Sequence, residues 1–349
     1  MKRIGNLFER IISIDNLRLA DEKARKGKLR TYGVRMHDRN REGNLIALHE
    51  SLKSRTFKNS EYTSFVVYEP KERIIHRLPY YPDRILHHAI MNVLEPIWRS
   101  VFTHNTYSCI KGRGIEGCAK AVDKIIGKYK GKPLYCLKMD IRKYYPSIDN
   151  ELLLEIISWK IKDKDVLWLL GEIIMSMDGL AIGNYPSGYL SNLYLAYFMH
   201  FVNERLHIIV GRETPFDSTE YADDICIFSD KKEDLHKAFD VVKAHLIEKL
   251  HLEVKDNWQI FPIARNRYDK SGRALDYVGY KFYREQKLIR KSIKKNFCRK
   301  VSRLNRKTCI EPLKYKQEIA PWLGWAKHSD SRNLVKTILK KDYYEACVL

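Results

Sequence analysis

Between Ser218 and Asp230 the chain reads STEYADDICIFSD, and this stretch limits the fold more than any other. Ile225, Ile227 and Phe228 favour a buried strand, yet two adjacent carboxylates, Asp223 and Asp224, stand at its head. A buried carboxylate is costly unless it meets a cation or a metal ion. Two in a row demand more than a single arginine. Successive strand side chains point to opposite faces, so the pair cannot share one face of a regular strand. The stretch is therefore expected to turn tightly over Ala222 to Asp224, setting the two carboxylates side by side.

A third carboxylate, Asp140, ends the apolar run LYCLKMDI and precedes the aromatic pair Tyr144 and Tyr145. That run is apolar on both faces and lies between helical patterns, which calls for strands covered by helices, an α+β layer architecture. Carboxylates from two neighbouring strands can hold two divalent ions about 4 Å apart, stabilising the attacking and leaving oxygens of an in-line phosphoryl displacement. Mg²⁺ takes oxygen ligands and keeps part of its water, so two or three carboxylates suffice. Paired aspartates also occur in turns for solvation alone, so the charge of the whole chain enters the argument. The chain has 64 Lys and Arg against 43 Asp and Glu, a formal charge of +21. Such an excess points to a polyanionic partner, nucleic acid first, over a merely basic soluble protein or one that binds acidic lipid.

The 349 residues, 44% of them hydrophobic, suffice for a sizeable core and two or three subdomains. Seven cysteines, odd in number and without a CxxC pair, read as buried free thiols rather than a disulfide framework or zinc module. No segment resembles a signal peptide or reaches the roughly 20 apolar residues of a membrane span, so the expectation is a cytoplasmic protein with no membrane partner. Leu17 to Lys26 reads as helical. Phe65 to Tyr68, the turn EPKER and RIIHRLP read as a hairpin carrying Lys71, Arg73 and Arg77. A helix follows Pro82, with Ile85, Ala89, Val93 and Ile97 on one face; its His87 and His88 are adjacent and do not face each other, which argues against a paired metal role. Further helices are expected over KGRGIEGCAKAVDKIIGKY, ELLLEIISWKI, the segment after GLAIGNYPSG, and Lys232 to Lys249. Leu252 to Phe261 reads as a strand and ALDYVGYKFYREQKLI as a hairpin. From Arg284 to Lys307 eleven cations face one acid, Glu285. Ile289, Ile293, Phe297, Val301 and Leu304 recur at helical spacing there, which predicts a helix with an apolar stripe and a phosphate-contacting remainder.

From about Phe65 to Lys307 these segments resemble, in order, a reverse transcriptase. The resemblance implies a right-hand polymerase fold: an N-terminal extension (1–60), fingers (61–138), a palm of antiparallel sheet backed by helices (139–283), and a helical thumb with C-terminal tail (284–349). LKMDIRKYYPSI looks like the first catalytic strand, and YADD like the family's YxDD hairpin. They imply metal ligation by Asp140, the Ile141 carbonyl and Asp223, with Asp224 in support, and two Mg²⁺ ions that Mn²⁺ can replace. The resemblance makes Tyr145 the ring that blocks a ribose 2′-hydroxyl, and Gly183 and Ser187 of AIGNYPSG part of the template and nucleotide pocket. Arg73, with Lys71 and Arg77, would grip the triphosphate. LDYVGYKF resembles the primer-grip hairpin, and Lys287, Arg290, Lys291, Lys294 and Lys295 would track the primer–template duplex. The lysine that commonly follows the hairpin is Trp258 here, and Lys255 is its substitute as the acid for pyrophosphate.

DIRKYYPSID, IGN-x-x-S, LIRKSIKK and WLGWAKHSD look most like diversity-generating retroelement enzymes and related phage-defence reverse transcriptases, although Gly188 follows Ser187 where the former usually carry glutamine. The implied activity is synthesis of cDNA on an RNA template, expected to be a structured non-coding RNA, from dNTPs and a primer, with an accessory subunit as a further partner. About 40 residues follow the thumb, too few for a ribonuclease H, endonuclease or maturase domain. An RNA-binding scaffold and a template-independent nucleotidyltransferase stay open as alternatives.

Overall fold

The computed structural model describes residues 3–68, 72–307 and 310–339. The chain opens with four helices, α1 (Phe8–Ile12), α2 (Ile14–Ala24), α3 (Tyr32–Asp38) and α4 (Arg41–Lys53). The ribbon of β1 (Thr63–Val67) and β2 (Arg73–Arg77) leads to α5 (Ile85–Arg99) and α6 (Gly114–Lys128). Next come β3 (Tyr135–Asp140), α7 (Asn150–Ser158), α8 (Lys164–Ile174), α9 (Ser187–Glu204) and the short α10 (Leu206–Ile209). The expected tight hairpin joins β4 (Asp217–Tyr221) to β5 (Asp224–Ser229) and is followed by α11 (Lys232–Leu250) and β6 (Gln259–Pro262). A meander of β7 (Leu275–Tyr277), β8 (Tyr280–Phe282) and β9 (Lys287–Ile289) precedes α12 (Lys291–Asn305), α13 (Pro312–Lys327) and α14 (Arg332–Ile338).

The apolar run before Asp140 is, as its two-faced pattern demands, an inner strand. The central sheet has the order β4-β5-β3-β6, with β3 antiparallel to both neighbours. Leu137, Met139, Ile225 and Ile227 point into the main core, against which α9 and α11 pack. Cys136, Cys226, Phe228 and Phe261 point the other way, into a second core shared with α6, β7 and β8. Burial of each such large side chain contributes roughly 1.5–3 kcal/mol. The helix α9 is buried nearly all round, from Ser187 to Val202, as a helix threaded through a core must be.

The first 60 residues are not a detached extension. Leu17, Leu45, Leu48 and Leu52 share the main core with Ile85, Leu86 and Ile90 of α5. Asp21, fully buried, meets Arg25 at 2.8 Å, Arg41 at 2.6 Å and the Tyr80 hydroxyl. Burial opposes its ionisation, but the hydrogen bonds from His37, Tyr80, Arg41 and Arg25 outweigh it and hold the carboxyl well below the usual range. The side chain of Asp163, which caps α8, also accepts the amides of Leu7 and Phe8 at 2.7 and 3.1 Å.

Two sequence expectations are corrected. Leu252 to Phe261 is not one strand: Val254 makes an isolated bridge to Ile141, a turn follows, and the ladder resumes at Gln259. Arg284 to Lys307 is not one helix, because Lys287, Leu288 and Ile289 pair with Phe282, Lys281 and Tyr280, and α12 starts only at Lys291. The stripe of Phe297, Val301 and Leu304 does form, and with Tyr315 and Ile319 it builds a third core among the C-terminal helices. Cysteines 118, 136 and 226 are buried and free, whereas Cys109 is exposed; Cys309 and Cys347 lie outside the described residues.

The β7–β8 turn places Val278 at φ 39° and Gly279 at φ 84°, as a two-residue hairpin of this hand requires. A Cβ on Gly279 would lie 2.4 Å from the Trp325 ring, whereas one on Gly127, exposed within α6, would touch nothing within 4 Å. Gly279→Ala is therefore expected to cost about 1–3 kcal/mol of stability through overpacking. Gly127→Ala should gain roughly 0.5–1 kcal/mol through helix propensity. Denaturant titration of both variants checks the contrast.

Candidate active site

The turn between β4 and β5 consists of Ala222, at φ 56°, and Asp223. Asp224 is already the first residue of β5, directly opposite Asp140 of β3. The register is closed by the Ile141 amide, which donates to the Asp223 carbonyl at 3.1 Å. The two adjacent aspartates therefore diverge, which corrects the side-by-side arrangement expected from sequence. Asp223 turns to Asp140, and their carboxyls lie within hydrogen-bonding reach. Asp224 turns to Lys138, whose ammonium is 2.8 Å away, and the Tyr277 hydroxyl donates to the Asp224 carbonyl at 3.0 Å.

Burial, then the like charge of Asp140, pushes the Asp223 carboxyl up to about 6. Burial also raises Asp224, against the opposing pull of Lys138. Lys255 supplies the second local cation: its ammonium pairs with the Asp140 carboxylate and its amide donates to the Asp140 carbonyl at 2.8 Å. Trp258 stacks on Phe239 at 3.7 Å and belongs to the core periphery. Lys138 was missed in the sequence, although strand alternation puts it on the same face as Asp140, two residues on.

Among the described residues, no group of three or more His, Cys, Asp or Glu side chains is arranged to hold a metal ion. The smaller set of Asp140, Asp223 and the adjoining Ile141 carbonyl does fit a hard divalent cation: its donors are all oxygen, and its two crowded, partly desolvated carboxylates are the charge such an ion relieves. Asp224 stands beside this set, held by Lys138. His87 and His88 form no part of it. His87 is buried and kept neutral, its pKa lowered to about 3 by burial, and His88 stacks on Tyr185 at 4.1 Å.

Tyr145 stands near the same acids. Ser191 Oγ is 3.4 Å from its hydroxyl, and Cys109, Asp223 and Arg73 are the ionisable groups closest in effect. Arg73 is exposed on β2, while Arg77, at the base of the ribbon, has Arg84 for its charged neighbour; Lys71 lies outside the described residues. Arg73 is thus the cation of the ribbon whose charge reaches Tyr145. Gly183, at φ 123°, packs against the β1–β2 ribbon: a Cβ there would lie 2.5 Å from the His76 carbonyl oxygen, and the His76 amide donates to the Ile182 carbonyl at 2.8 Å. Ser187 is buried at the start of α9 beside Tyr62 and Asn184. Gly188 has its own reason to lack a side chain, since a Cβ would come within 2.5 Å of the Cys109 sulfur. Among the candidate duplex-tracking cations, Lys291, Lys294 and Lys295 are exposed. Lys287 instead pairs with Asp123, and Arg290 with Asp276 at 2.6 Å. A hollow of about 500 Å³ below the acids is lined by Lys138, Gln259, Phe261, Arg273 and Arg290. Arg273 lies flat on Phe261 at 4.0 Å.

The comparisons agree with this geometry. Residues 67–262, more than half of the chain, match the family described as reverse transcriptase (RNA-dependent DNA polymerase). The chain belongs to this reverse transcriptase family. Protein YkfC of Escherichia coli K12 is 26% identical over 142 residues, which are 37% of this chain and 37% of YkfC. The mitochondrial nuclear intron maturase 4 of Arabidopsis thaliana is 25% identical over 179 residues, 48% of this chain and 22% of the maturase. The chain thus spans well under half the length of either curated relative. Apo telomerase from Candida tropicalis superposes with a TM-score of 0.50 at 9% identity, covering 83% of this chain and 61% of that one. This likeness is one of fold: a right hand of fingers, palm and thumb. No helix among the described residues is long and apolar enough to cross a membrane.

Behind the hairpin, Glu220 is a further residue that sequence reading missed. It is fully buried; one carboxyl oxygen accepts from the Thr106 hydroxyl at 2.9 Å and the other has no hydrogen-bond partner among the described residues. Its backbone carbonyl accepts from Tyr107 at 3.0 Å and its amide donates to Asn105 at 2.9 Å, so the 103–109 segment runs as an added edge beside β4. Burial, opposed only by Thr106 and Arg113, pushes this carboxyl up to about 8. Its folded pKa lies above the unfolded value, so the fold loses stability as pH rises from about 4.5 toward 8. Glu220→Gln should remove that slope: the variant's melting temperature, taken relative to the parent, climbs between pH 5 and pH 8. A constant offset would mean that the carboxyl is ionised in the fold.

Proposed function

We propose that the protein is an RNA-directed DNA polymerase that extends a primer 3′-hydroxyl with dNTPs on an RNA template. The observation that carries the reading is the approach of Asp223, in the β4–β5 turn, to Asp140 at the end of β3, in a chain of the reverse transcriptase family. Asp140, Asp223 and the Ile141 carbonyl would hold Mg²⁺, with Asp224 in support; when bound, the ions supply charge neutralisation at the attacking and leaving oxygens. The chain's own groups do the positioning. Arg73, whose charge reaches Tyr145, is the grip for the triphosphate. The Tyr145 ring fills the space in which a ribose 2′-hydroxyl would sit, which selects deoxynucleotides. Lys138 fixes Asp224, and Lys255 balances Asp140 and stands within reach as a proton donor to the departing pyrophosphate. The cations Lys138, Arg273 and Arg290 line the hollow toward the primer-grip hairpin, and Lys291, Lys294 and Lys295 offer charge to the duplex. The IGN-x-x-S loop and the WLGWAKHSD segment favour a bacterial retroelement or phage-defence setting with a structured RNA template and an accessory subunit.

A second reading has its own observation. Two lysines already neutralise Asp140 and Asp224, as in a polymerase fold retained as an RNA-binding scaffold. Primer extension in Mg²⁺ or Mn²⁺ on a defined template separates the two, and supplying the dNTPs singly and together separates templated from template-independent addition. Asp140→Asn is expected to abolish dNTP incorporation while melting behaviour and RNA binding persist; an active variant would overturn the assignment. Tyr145→Ala should raise ribonucleotide incorporation relative to dNTP by about tenfold or more, as removing a steric wall relaxes rejection. Competition between labelled UTP and dTTP measures it.

A further inference from the structure

A groove of about 1430 Å³ lies between the end of α6, the Tyr135 end of β3, the turn before β9 and the α13–α14 turn. Tyr135 is five residues from Asp140 along β3, so the groove begins about 17 Å from the candidate active site. Its acids are already committed. Asp123 pairs with Lys287, and Glu285 with Arg265 at 2.6 Å. Asp330 accepts the Lys287 amide at 2.7 Å, and Asp269 accepts the Arg265 amide at 2.7 Å. Arg284 is anchored across the floor on the carbonyls of Tyr129, at 2.7 Å, and Lys132. Lys130, on the palm side, and Lys327 and Arg332, on the side of the C-terminal helices, are exposed and form no ion pair among the described residues. Three positive charges without an ion-pair partner among the described residues thus face one groove whose four acids are held by internal ion pairs or hydrogen bonds.

The branched aliphatic residues of the lining, Ile126, Leu134 and Ile263, are buried in the second core. The centre of a protein interface is depleted of lysine and of charge in general, whereas this groove presents Lys130, Lys327 and Arg332 with no ion pair among the described residues. A phosphodiester backbone needs only cations and donors. We propose that this groove docks the phosphate backbone of RNA lying outside the primer–template at the active site, so that the protein holds its RNA at two separated places. The polymerase reading enters only in identifying the polyanion as RNA that is also copied.

The test uses the full chain and the triple variant Lys130→Gln/Lys327→Gln/Arg332→Gln, with equal melting temperatures as the check on folding. Two probes are compared: a short RNA–DNA primer–template, and the same duplex with its RNA strand extended by a hairpin. For the extended probe, the slope of log affinity against log salt should be shallower in the variant by about 2–3, the release expected from three phosphate contacts. The slope for the short duplex and its saturated extension rate should not change. Equal slopes in parent and variant, or an equal loss on both probes, would overturn the proposal. Unchanged RNA slopes with lost binding to polyglutamate would assign the groove to an acidic protein instead. Absence of any primer extension by the parent chain would sink the polymerase reading alone, since the binding slopes still report on the groove.

Discussion

The pairing of β3 with β5 is the constraint on which the rest of the molecule depends. It sets Asp140 opposite Asp224 and, through one amide from Ile141, pins the turn that carries Asp223. Three carboxylates are thereby concentrated at the open end of a sheet whose inner strands, β3 and β5, are mostly apolar on both faces elsewhere. Such a concentration is tolerable only with cations at hand. Lys138 arrives from the strand itself and Lys255 from the loop after α11. The two lysines divide the acids into an exchangeable pair, Asp140 and Asp223, and a fixed one, Asp224.

Around this end of the sheet, backbone approaches backbone more closely than side chains permit. Gly183 lies against the His76 carbonyl, and Gly188 against the Cys109 sulfur. The absence of side chains at these positions sets the distance between the fingers ribbon, the loop before α9 and the 103–109 segment. Tyr145 stands among them. The approach of these segments is therefore set largely by what is missing, and the electrostatics beside Tyr145 by the few ionisable groups that remain.

Much of this was legible in the sequence because it follows from short-range rules. The two-faced strand before Asp140, the hairpin at Ala222, the helix over Lys232 to Leu250 and the stripe of Phe297, Val301 and Leu304 all rest on periodicity or turn chemistry. What was not legible depends on partners far away in the chain. The divergence of Asp223 and Asp224 is decided by the β3 register, which no local pattern encodes. Ile289 fitted a helical stripe equally well, and only the ladder with β8 made it a strand residue. Glu220 gave no signal, since its burial comes from the 103–109 segment lying across β4. Lys287 and Arg290 looked like free cations in a basic run until Asp123, far back in the chain, and Asp276, across the meander, proved to be their partners.

The three-stranded meander of β7 to β9 is attached on both sides. On one side the Tyr277 hydroxyl holds the Asp224 carbonyl, and Arg284 reaches the end of α6. On the other, Lys287 and Asp330 exchange two hydrogen bonds and Trp325 closes on Tyr280 at 5.0 Å. A sheet attached on both sides ties the C-terminal helices to the strand that carries Asp224: from Asp330 through Lys287 and the β9–β8–β7 ladder to the Tyr277 hydroxyl, the connection is one of continuous hydrogen bonding.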